Sequence, residues 1–183
     1  PNELAPTLDQ SVILEAIGVS MVFPGTVALD NADFAVRKSA VTALVGENGA
    51  GKSTLMKILA GVNSPTSGEL RMNGETLVFN SVHDASAKGI GIVFQELNLC
   101  PNLSIAENIF LTHPYTKGGV HIDRARQTAH ATALLKRLEH DLSPDTLVGD
   151  LRIGEQQIVE IAKALSRDVQ VLIMDEPTSA LSE

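Results

Sequence analysis

The sequence is poor in residues that several protein classes require. A single cysteine, Cys100, occurs among 183 residues, so no disulfide can form within the chain, and a reducing cytosol suits it. No apolar run approaches the roughly eighteen residues of a membrane-spanning helix. There is no tryptophan and only one tyrosine, which leaves few rings on which nucleic-acid bases could stack.

Positive charge is also scarce. The chain has 14 Lys and Arg against 22 Asp and Glu, for a formal net charge of −8. Because binding to a phosphate backbone requires clustered basic side chains, we expect no nucleic-acid partner. Residues 1–9 lack the basic and apolar regions of a signal peptide, so they are expected to form a tail.

One glycine-rich stretch carries the strongest functional signal. Residues 46–54 fit the pattern G-x-x-x-x-G-K-S/T, and they are Gly46, Glu47, Asn48, Gly49, Ala50, Gly51, Lys52, Ser53 and Thr54. The apolar run 41–45 predicts a buried strand before the loop. The spacing of apolar residues after it predicts a helix with one apolar face, formed by Leu55, Ile58, Leu59 and Val62.

A glycine-rich loop between a strand and a helix N-terminus is typical of a phosphate-binding site. Glycines at 46, 49 and 51 would let the backbone curl so that its N–H groups and the helix dipole meet phosphate oxygens. Lys52 would then reach the β- and γ-phosphates, and the Ser53 hydroxyl would ligate Mg²⁺.

A second apolar run ends in two acids. Residues 169–174 predict a central strand of a parallel sheet, buried on both faces, followed by Asp175 and Glu176. Asp175 would hold the Mg²⁺ shell through water, and Glu176 would polarise the attacking water as a general base. With the glycine-rich loop, these acids predict a nucleotide-binding P-loop protein.

Further motifs narrow the choice within P-loop proteins. The chain has neither an N-K-x-D motif, as in GTPases, nor an arginine-rich lid, as in small-molecule kinases. Instead, Gln95 follows a strand-like run at 89–94, and the segment 151–157, Leu-Arg-Ile-Gly-Glu-Gln-Gln, opens a predicted helix.

With these motifs, nearly the whole chain resembles the nucleotide-binding subunit of an ABC transporter. Residues 46–54 resemble the Walker A loop, 171–176 Walker B with its catalytic glutamate, and 151–157 the signature motif. Gln95 is similar to the Q-loop glutamine, which makes it both a Mg²⁺ ligand and a catalytic residue. Residues 179–182 resemble the D-loop, and Phe23 fits the aromatic residue that stacks on adenine.

Four stretches, 23–30, 46–49, 95–99 and 154–165, are similar to the monosaccharide importers of ribose, arabinose, xylose and galactosides. The resemblance implies an α/β P-loop core with a mostly parallel sheet, an antiparallel β subdomain and a helical subdomain. It also implies binding and hydrolysis of MgATP to drive uptake of a small solute, a sugar. The implied partners are a second ATPase half, an integral membrane permease and, indirectly, a solute-binding protein, at the cytoplasmic face of the cell membrane.

The expected organisation follows from the same patterns. Residues 10–95 and 158–183 form the ATP-binding core with its antiparallel strands, and residues 96–157 form the helical signature subdomain. A hairpin turn is predicted at Asn73–Gly74, a capping box at Ser104–Glu107. An amphipathic helix is predicted on Ala131, Leu134, Leu135 and Leu138. The apolar residues of 96–111 are either helical core or a docking surface for the membrane subunit.

Two features depart from the family pattern. Arg152 stands where the family has a serine whose hydroxyl contacts the γ-phosphate held by the partner half, and no histidine is placed to be the family's switch histidine before the chain stops at Glu183. The resemblance therefore implies most of an N-terminal half, weak or inactive as an ATPase on its own. The alternatives are an ATP-binding module without turnover and a soluble ABC ATPase outside transport.

Overall fold

The protein is described from a computed structural model, which covers residues 11–175. The chain divides into two compact units, the first ending at Lys88 and the second beginning at Gly89. Across residues 11–175, no helix combines the length and apolar character that crossing a membrane requires. Glu176 and the predicted D-loop, 179–182, lie outside the described residues.

The first unit contains a four-stranded antiparallel sheet in the order β2-β1-β3-β4. Its strands are β1 (Val12–Phe23), β2 (Thr26–Arg37), β3 (Ser67–Met72) and β4 (Glu75–Leu77). The β3–β4 turn is the predicted one, since Asn73 and Gly74 have φ angles of 51° and 83°. Two successive positive φ values make a turn whose twist matches that of the strands it joins.

Two helices complete the first unit, α1 (Lys52–Leu59) and α2 (Val82–Ala87). The predicted apolar face of α1 is confirmed for Leu55, Ile58 and Leu59, all buried. Val62 lies beyond the helix end and is 38% exposed, so its predicted place on that face is wrong. The chain turns at Ala60–Gly61, which removes Val62 from the helical repeat.

The predicted buried strand at 41–45 is wrong. No strand is assigned there, and Val41 and Val45 are 100% and 88% exposed. Among the described residues of this unit, the sheet is made by β1 to β4 and the segment pairs with none of them. An apolar, β-branched run becomes a strand only where another strand takes up its backbone hydrogen bonds.

The second unit contains a parallel pair, β5 (Ile90–Val93) and β8 (Val171–Met174), aligned from Ile90↔Val171 to Val93↔Met174. Val171 and Ile173 are buried, whereas Leu172 is half-buried and Met174 is 43% exposed. The predicted strand is confirmed, but its burial on both faces is wrong. In the described part of the chain, β5 is the strand that pairs with β8.

The helices of the second unit form its apolar core. They are α3 (Ile105–Ile109), α4 (Arg124–Arg137) and α5 (Ile153–Leu165), with a 3₁₀ turn at Val148–Asp150. The face predicted for α4 is confirmed, because Ala131, Leu134 and Leu135 are buried and Leu138 packs against the same core. The link between α3 and α4 contains a short hairpin that was not predicted. Its two strands have two residues each, β6 (Thr116–Lys117) and β7 (His121–Ile122).

The apolar residues after Gln95 divide between the helical core and the surface. Ile109 and Phe110 are buried in the helical core, and Leu99 packs against it. Leu111 is 50% exposed. The segment is therefore core on one side and leaves apolar surface on the other.

Candidate functional site

The glycine-rich loop forms a tight turn that leads directly into α1. The Ala50 N–H donates to the Glu47 carbonyl over 3.1 Å, and Gly49 and Gly51 have φ angles of 85° and 84°. Residues 46–50 are exposed. The two left-handed glycines bend the backbone as predicted, so that it wraps around the start of the helix.

Gly51 is required by space as well as by its backbone angle. A Cβ atom on Gly51 would lie 2.5 Å from the Ala28 carbonyl oxygen and 2.7 Å from Leu29 Cδ2. The loop is thus pressed against β2. At Gly46 a Cβ atom would meet Ala50 Cβ at 3.5 Å, an ordinary contact, so nothing in this geometry demands glycine there.

The Lys52 side chain folds back into the loop. Its Nζ donates to the carbonyls of Gly46, at 2.8 Å, and Glu47, at 2.9 Å. Among residues 11–175, no side chain caps the N-terminus of α1, and the first turn of this helix contains no acid. A helix N-terminus without a cap, next to an ammonium group, is an arrangement that binds anions.

Phe23, the predicted adenine-stacking residue, ends β1 beside the β1–β2 turn and is 39% exposed. Its neighbours Val22 and Val27 are 52% and 62% exposed. The ring is therefore accessible on the same unit as the glycine-rich loop.

Gln95 and Asp175 lie at the carboxyl ends of the parallel strands of the second unit. The Asp175 N–H donates to the Val93 carbonyl over 3.1 Å, so the β5–β8 ladder continues to this acid. Gln95 follows the neighbouring strand and is exposed. The structure thus places these two residues together at one sheet edge, and it places Phe23, Lys52 and Ser53 on the other unit.

The donor set suits a hard cation. A hydroxyl, an amide oxygen and a carboxylate are ligands of the kind Mg²⁺ takes, together with substrate oxygens. Within residues 11–175, no group of three or more His, Cys, Asp or Glu side chains could hold a metal.

The segment that resembles the signature motif opens a helix as predicted, since α5 begins at Ile153. Arg152 is the N-cap residue, with φ −67° and ψ 156°, and its N–H donates to Glu155 Oε2 over 2.8 Å. A guanidinium has no acceptor, so it cannot return a bond to the helix. Only half of a capping box forms at this terminus.

Two buried polar residues, Glu160 and Asn108, and the half-buried Lys163 were not singled out by the sequence patterns. Glu160 is 9% and Asn108 is 1% exposed, and Lys163 lies beside Glu160 on α5 with its side chain 23% exposed. The signal available was a charge among apolar positions of a predicted helix, because Val159 and Ala162 on either side of Glu160 are fully buried. Such a charge must have a partner.

Sequence comparison places these features in one family. The family described as ABC transporter matches residues 29–179. The ribose import ATP-binding protein RbsA of Rhodopirellula baltica is 51% identical over 176 residues, covering 96% of this chain and 34% of that protein. The arabinose import ATP-binding protein AraG of Vibrio parahaemolyticus is 52% identical over 170 residues, covering 93% and 33%.

The fold agrees with solved structures. The ATP-binding cassette MJ0796, in a dimeric post-hydrolysis state bound to ADP and Pi, matches with a TM-score of 0.74 and 26% identity, over 92% of this chain and 75% of that one. The predicted fold class, a P-loop ATPase cassette with antiparallel strands and helices, is confirmed. The chain spans about a third of the length of the curated relatives that it matches. It belongs to the ABC transporter family.

Proposed function

We propose that this chain is the nucleotide-binding part of the ATPase subunit of an ABC importer, which couples binding and hydrolysis of MgATP to uptake of a small solute, a sugar. The observation that carries the proposal is the start of α1. There, the glycine-rich loop leads into a helix N-terminus that has no side-chain cap, and Lys52 Nζ donates to the carbonyls of Gly46 and Glu47. Identities of 51% and 52% to ribose and arabinose import proteins support the solute class.

The loop geometry supports nucleotide binding. Lys52 Nζ would exchange the carbonyls of Gly46 and Glu47 for the β- and γ-phosphates, which are stronger partners because they are charged. The loop N–H groups and the α1 dipole would stabilise the same negative charge. The exposed ring of Phe23 would stack on adenine.

Hydrolysis would use residues of both units. Ser53, Gln95 and Asp175 would hold Mg²⁺, Asp175 through water, and the bound ion would neutralise charge on the phosphate oxygens. Glu176, outside the described residues, would take a proton from the attacking water as general base, and Gln95 would help to orient that water.

The partners follow from the same assignment. A second ATPase half, in cis or in a dimer, would close over the nucleotide, as the dimeric state of MJ0796 supports. An integral membrane permease would receive the motion at the cytoplasmic face of the membrane, with a solute-binding protein acting indirectly. We assign the core to residues 10–95 and 158–183, and the helical subdomain to 96–157.

Arg152 favours a second candidate, a module that binds ATP without turning it over. A serine hydroxyl at this position would both donate to and accept from its neighbours, whereas the guanidinium of Arg152 only donates. Steady-state phosphate release compared with ATP affinity separates the two candidates. Glu176→Gln is the matched variant for an ATPase: it should lower turnover by about 10²–10⁴ and leave binding intact.

The phosphate-loop assignment is tested by calorimetric titration with ATP. Lys52→Ala should weaken binding about tenfold or more, because it removes the one side-chain cation in the loop. Lys57→Ala, in the last turn of the same helix, is the matched control and should leave the affinity unchanged. Equal dissociation constants for the wild type and Lys52→Ala would rule out the assignment.

A further inference from the structure

The backbone of Asn98, three residues after Gln95, is bound by two side chains of α5. Glu160 Oε1 accepts from the Asn98 N–H at 2.7 Å, and Lys163 Nζ donates to the Asn98 carbonyl at 2.7 Å. Both polar groups of one peptide residue are thus satisfied by one helix. We call this arrangement the Asn98 clamp.

The clamp residues are poorly exposed, although the segment they hold is at the surface. The Glu160 and Lys163 side chains are 11% and 23% exposed, with Oε1 and Nζ 3.7 Å apart, and Asn98 itself is exposed. A carboxylate taken out of water is tolerated where it is paired and hydrogen-bonded. Here the Glu160 carboxylate is paired with Lys163 and accepts from the Asn98 backbone. The burial of this charge therefore depends on the position of the loop that contains Asn98.

A second attachment fixes the residues that follow. Asn108 on α3 accepts from the Cys100 N–H at 2.8 Å. Its Nδ2 lies 3.0 Å from the carbonyl of Cys100, 3.2 Å from that of Leu103 and 3.0 Å from that of Ser104. The backbone from 98 to 104 is therefore held by α5 at one end and by α3 at the other. Of these two attachments, the Asn98 clamp is the one on α5, the helix that begins within the segment resembling the signature motif.

We propose that Glu160 and Lys163 are positioning residues that lock the segment after Gln95 to α5, the helix that begins at the signature-like motif. The inference rests on the proposed function, and it takes residues 96–111, which include the exposed Leu111, as the docking surface for the membrane subunit. A displacement of that segment would reach α5 through the Asn98 clamp, at Glu160 and Lys163, which lie seven and ten residues after the first residue of that helix, without any change at the glycine-rich loop.

The variants separate the hydrogen bond from the charge and from the Asn98 side chain. Glu160→Ala leaves the Asn98 N–H without its acceptor, whereas Glu160→Gln keeps an acceptor oxygen in the same place. Asn98→Ala is the matched control on the loop, because Glu160 and Lys163 bond to the backbone of residue 98 and the substitution keeps that backbone. Lys163→Met removes the bond to the Asn98 carbonyl and keeps the length of the side chain.

The experiment measures coupling in the complete transporter in proteoliposomes. In Glu160→Ala, amide hydrogen exchange at Asn98 should quicken about tenfold, and stimulation of ATP hydrolysis by transported solute should fall by about the same factor. Basal hydrolysis and ATP affinity should stay within about twofold of wild type, a split that general loss of structure would not produce. Lys163→Met should follow Glu160→Ala, while Glu160→Gln and Asn98→Ala should retain most of the stimulation.

The outcomes distinguish this inference from the proposed function. A wild-type transporter that hydrolyses ATP without stimulation by solute would overturn the importer assignment, and the role of the clamp with it. Normal wild-type stimulation that Glu160→Ala preserves would overturn the clamp alone. Equal losses of basal and stimulated turnover in Glu160→Ala would also overturn it, since they would show a structural role only.

Discussion

The starts of α3 and α1 meet the same backbone requirement in opposite ways. At α3, Ser104 Oγ accepts from the Glu107 N–H at 3.2 Å, and Glu107 Oε2 accepts from the Ser104 N–H at 3.0 Å. At α1, the cap residue is Gly51, which has no side chain to offer. The first terminus is completed by its own residues, whereas the N-cap residue of the second contributes no side-chain acceptor.

The start of α5 lies between these two. Its acid, Glu155, accepts from the N-cap N–H just as Glu107 does, but Arg152 supplies no acceptor in return. The comparison shows which terminus is structural and which is available to an anion. Substitutions that add or remove a cap should therefore change stability at α3 and α5, and nucleotide affinity at α1.

The largest effect is expected where a side chain is forced into the open terminus. Gly51→Ala would combine a left-handed backbone with a clash against Ala28, and should lower the free energy of unfolding by about 2–5 kcal/mol. Urea denaturation measures the loss, and ATP titration should show weaker binding. Gly49→Ala has the same φ and no atom within 4 Å of the new Cβ, so it should cost about 1–2 kcal/mol. Equal losses for the two variants would contradict the contact with β2.

Removing the cap of α3 should have a smaller effect, and on stability alone. Ser104→Ala leaves the Glu107 N–H without its side-chain acceptor, which should cost about 1 kcal/mol. Chemical denaturation gives the loss, and Ser104→Asp, which keeps an acceptor oxygen, should recover most of it. ATP affinity should match that of wild type. A weakened affinity would break the division between structural and ligand-binding termini.

Completing the cap of α5 should stabilise the protein slightly. Arg152→Ser supplies the missing acceptor opposite Glu155 and should raise the free energy of unfolding by about 0.5–1 kcal/mol. Arg152→Ala, which removes the guanidinium and adds no acceptor, is the control and should give no such gain in the same denaturation experiment. If the free energy of unfolding rises equally in both variants, the stabilisation comes from removal of the arginine and not from the new cap.

The smallest effect concerns pH. The hydrogen bond from the Ser104 backbone holds the pKa of Glu107 below its ordinary value of 4.5. Partial desolvation raises this pKa, whereas the Ser104 side chain and the charge of Arg124 lower it further. Because the folded-state pKa is depressed, the stabilisation is present above pH 4.5 and is lost as the pH falls through the folded-state value. Thermal melts of wild type and Glu107→Gln should converge across that acidic range. A constant difference between them would contradict the assignment.

Local patterns predicted local structure well in this chain. The Ser104–Glu107 box and the buried face of α1 depend on residues three or four apart, and both are observed. Features that depend on distant partners were missed or wrong. The run 41–45 has the composition of a strand and no described strand to pair with, and Glu160 meets Asn98 across 62 residues of sequence.

The candidate site divides along the same line. The glycine-rich loop and the positions of Gln95 and Asp175 at strand ends follow from motifs read along the chain. The need for glycine at 51 comes from Ala28 and Leu29 of β2, which the motif alone does not indicate. The sequence therefore identifies the chemistry of the loop, and the tertiary structure explains which of its glycines is irreplaceable.

The open turn at Asn48–Gly49 also determines how the protein will age in storage. Asn48 is exposed, and Gly49 carries no side chain that would hinder its backbone nitrogen. Attack of that nitrogen on the Asn48 amide carbon releases ammonia, and the resulting succinimide opens to aspartate or isoaspartate. Deamidation would thus place a negative charge in the loop that we propose binds the phosphates. Old preparations should lose nucleotide affinity before they lose their fold.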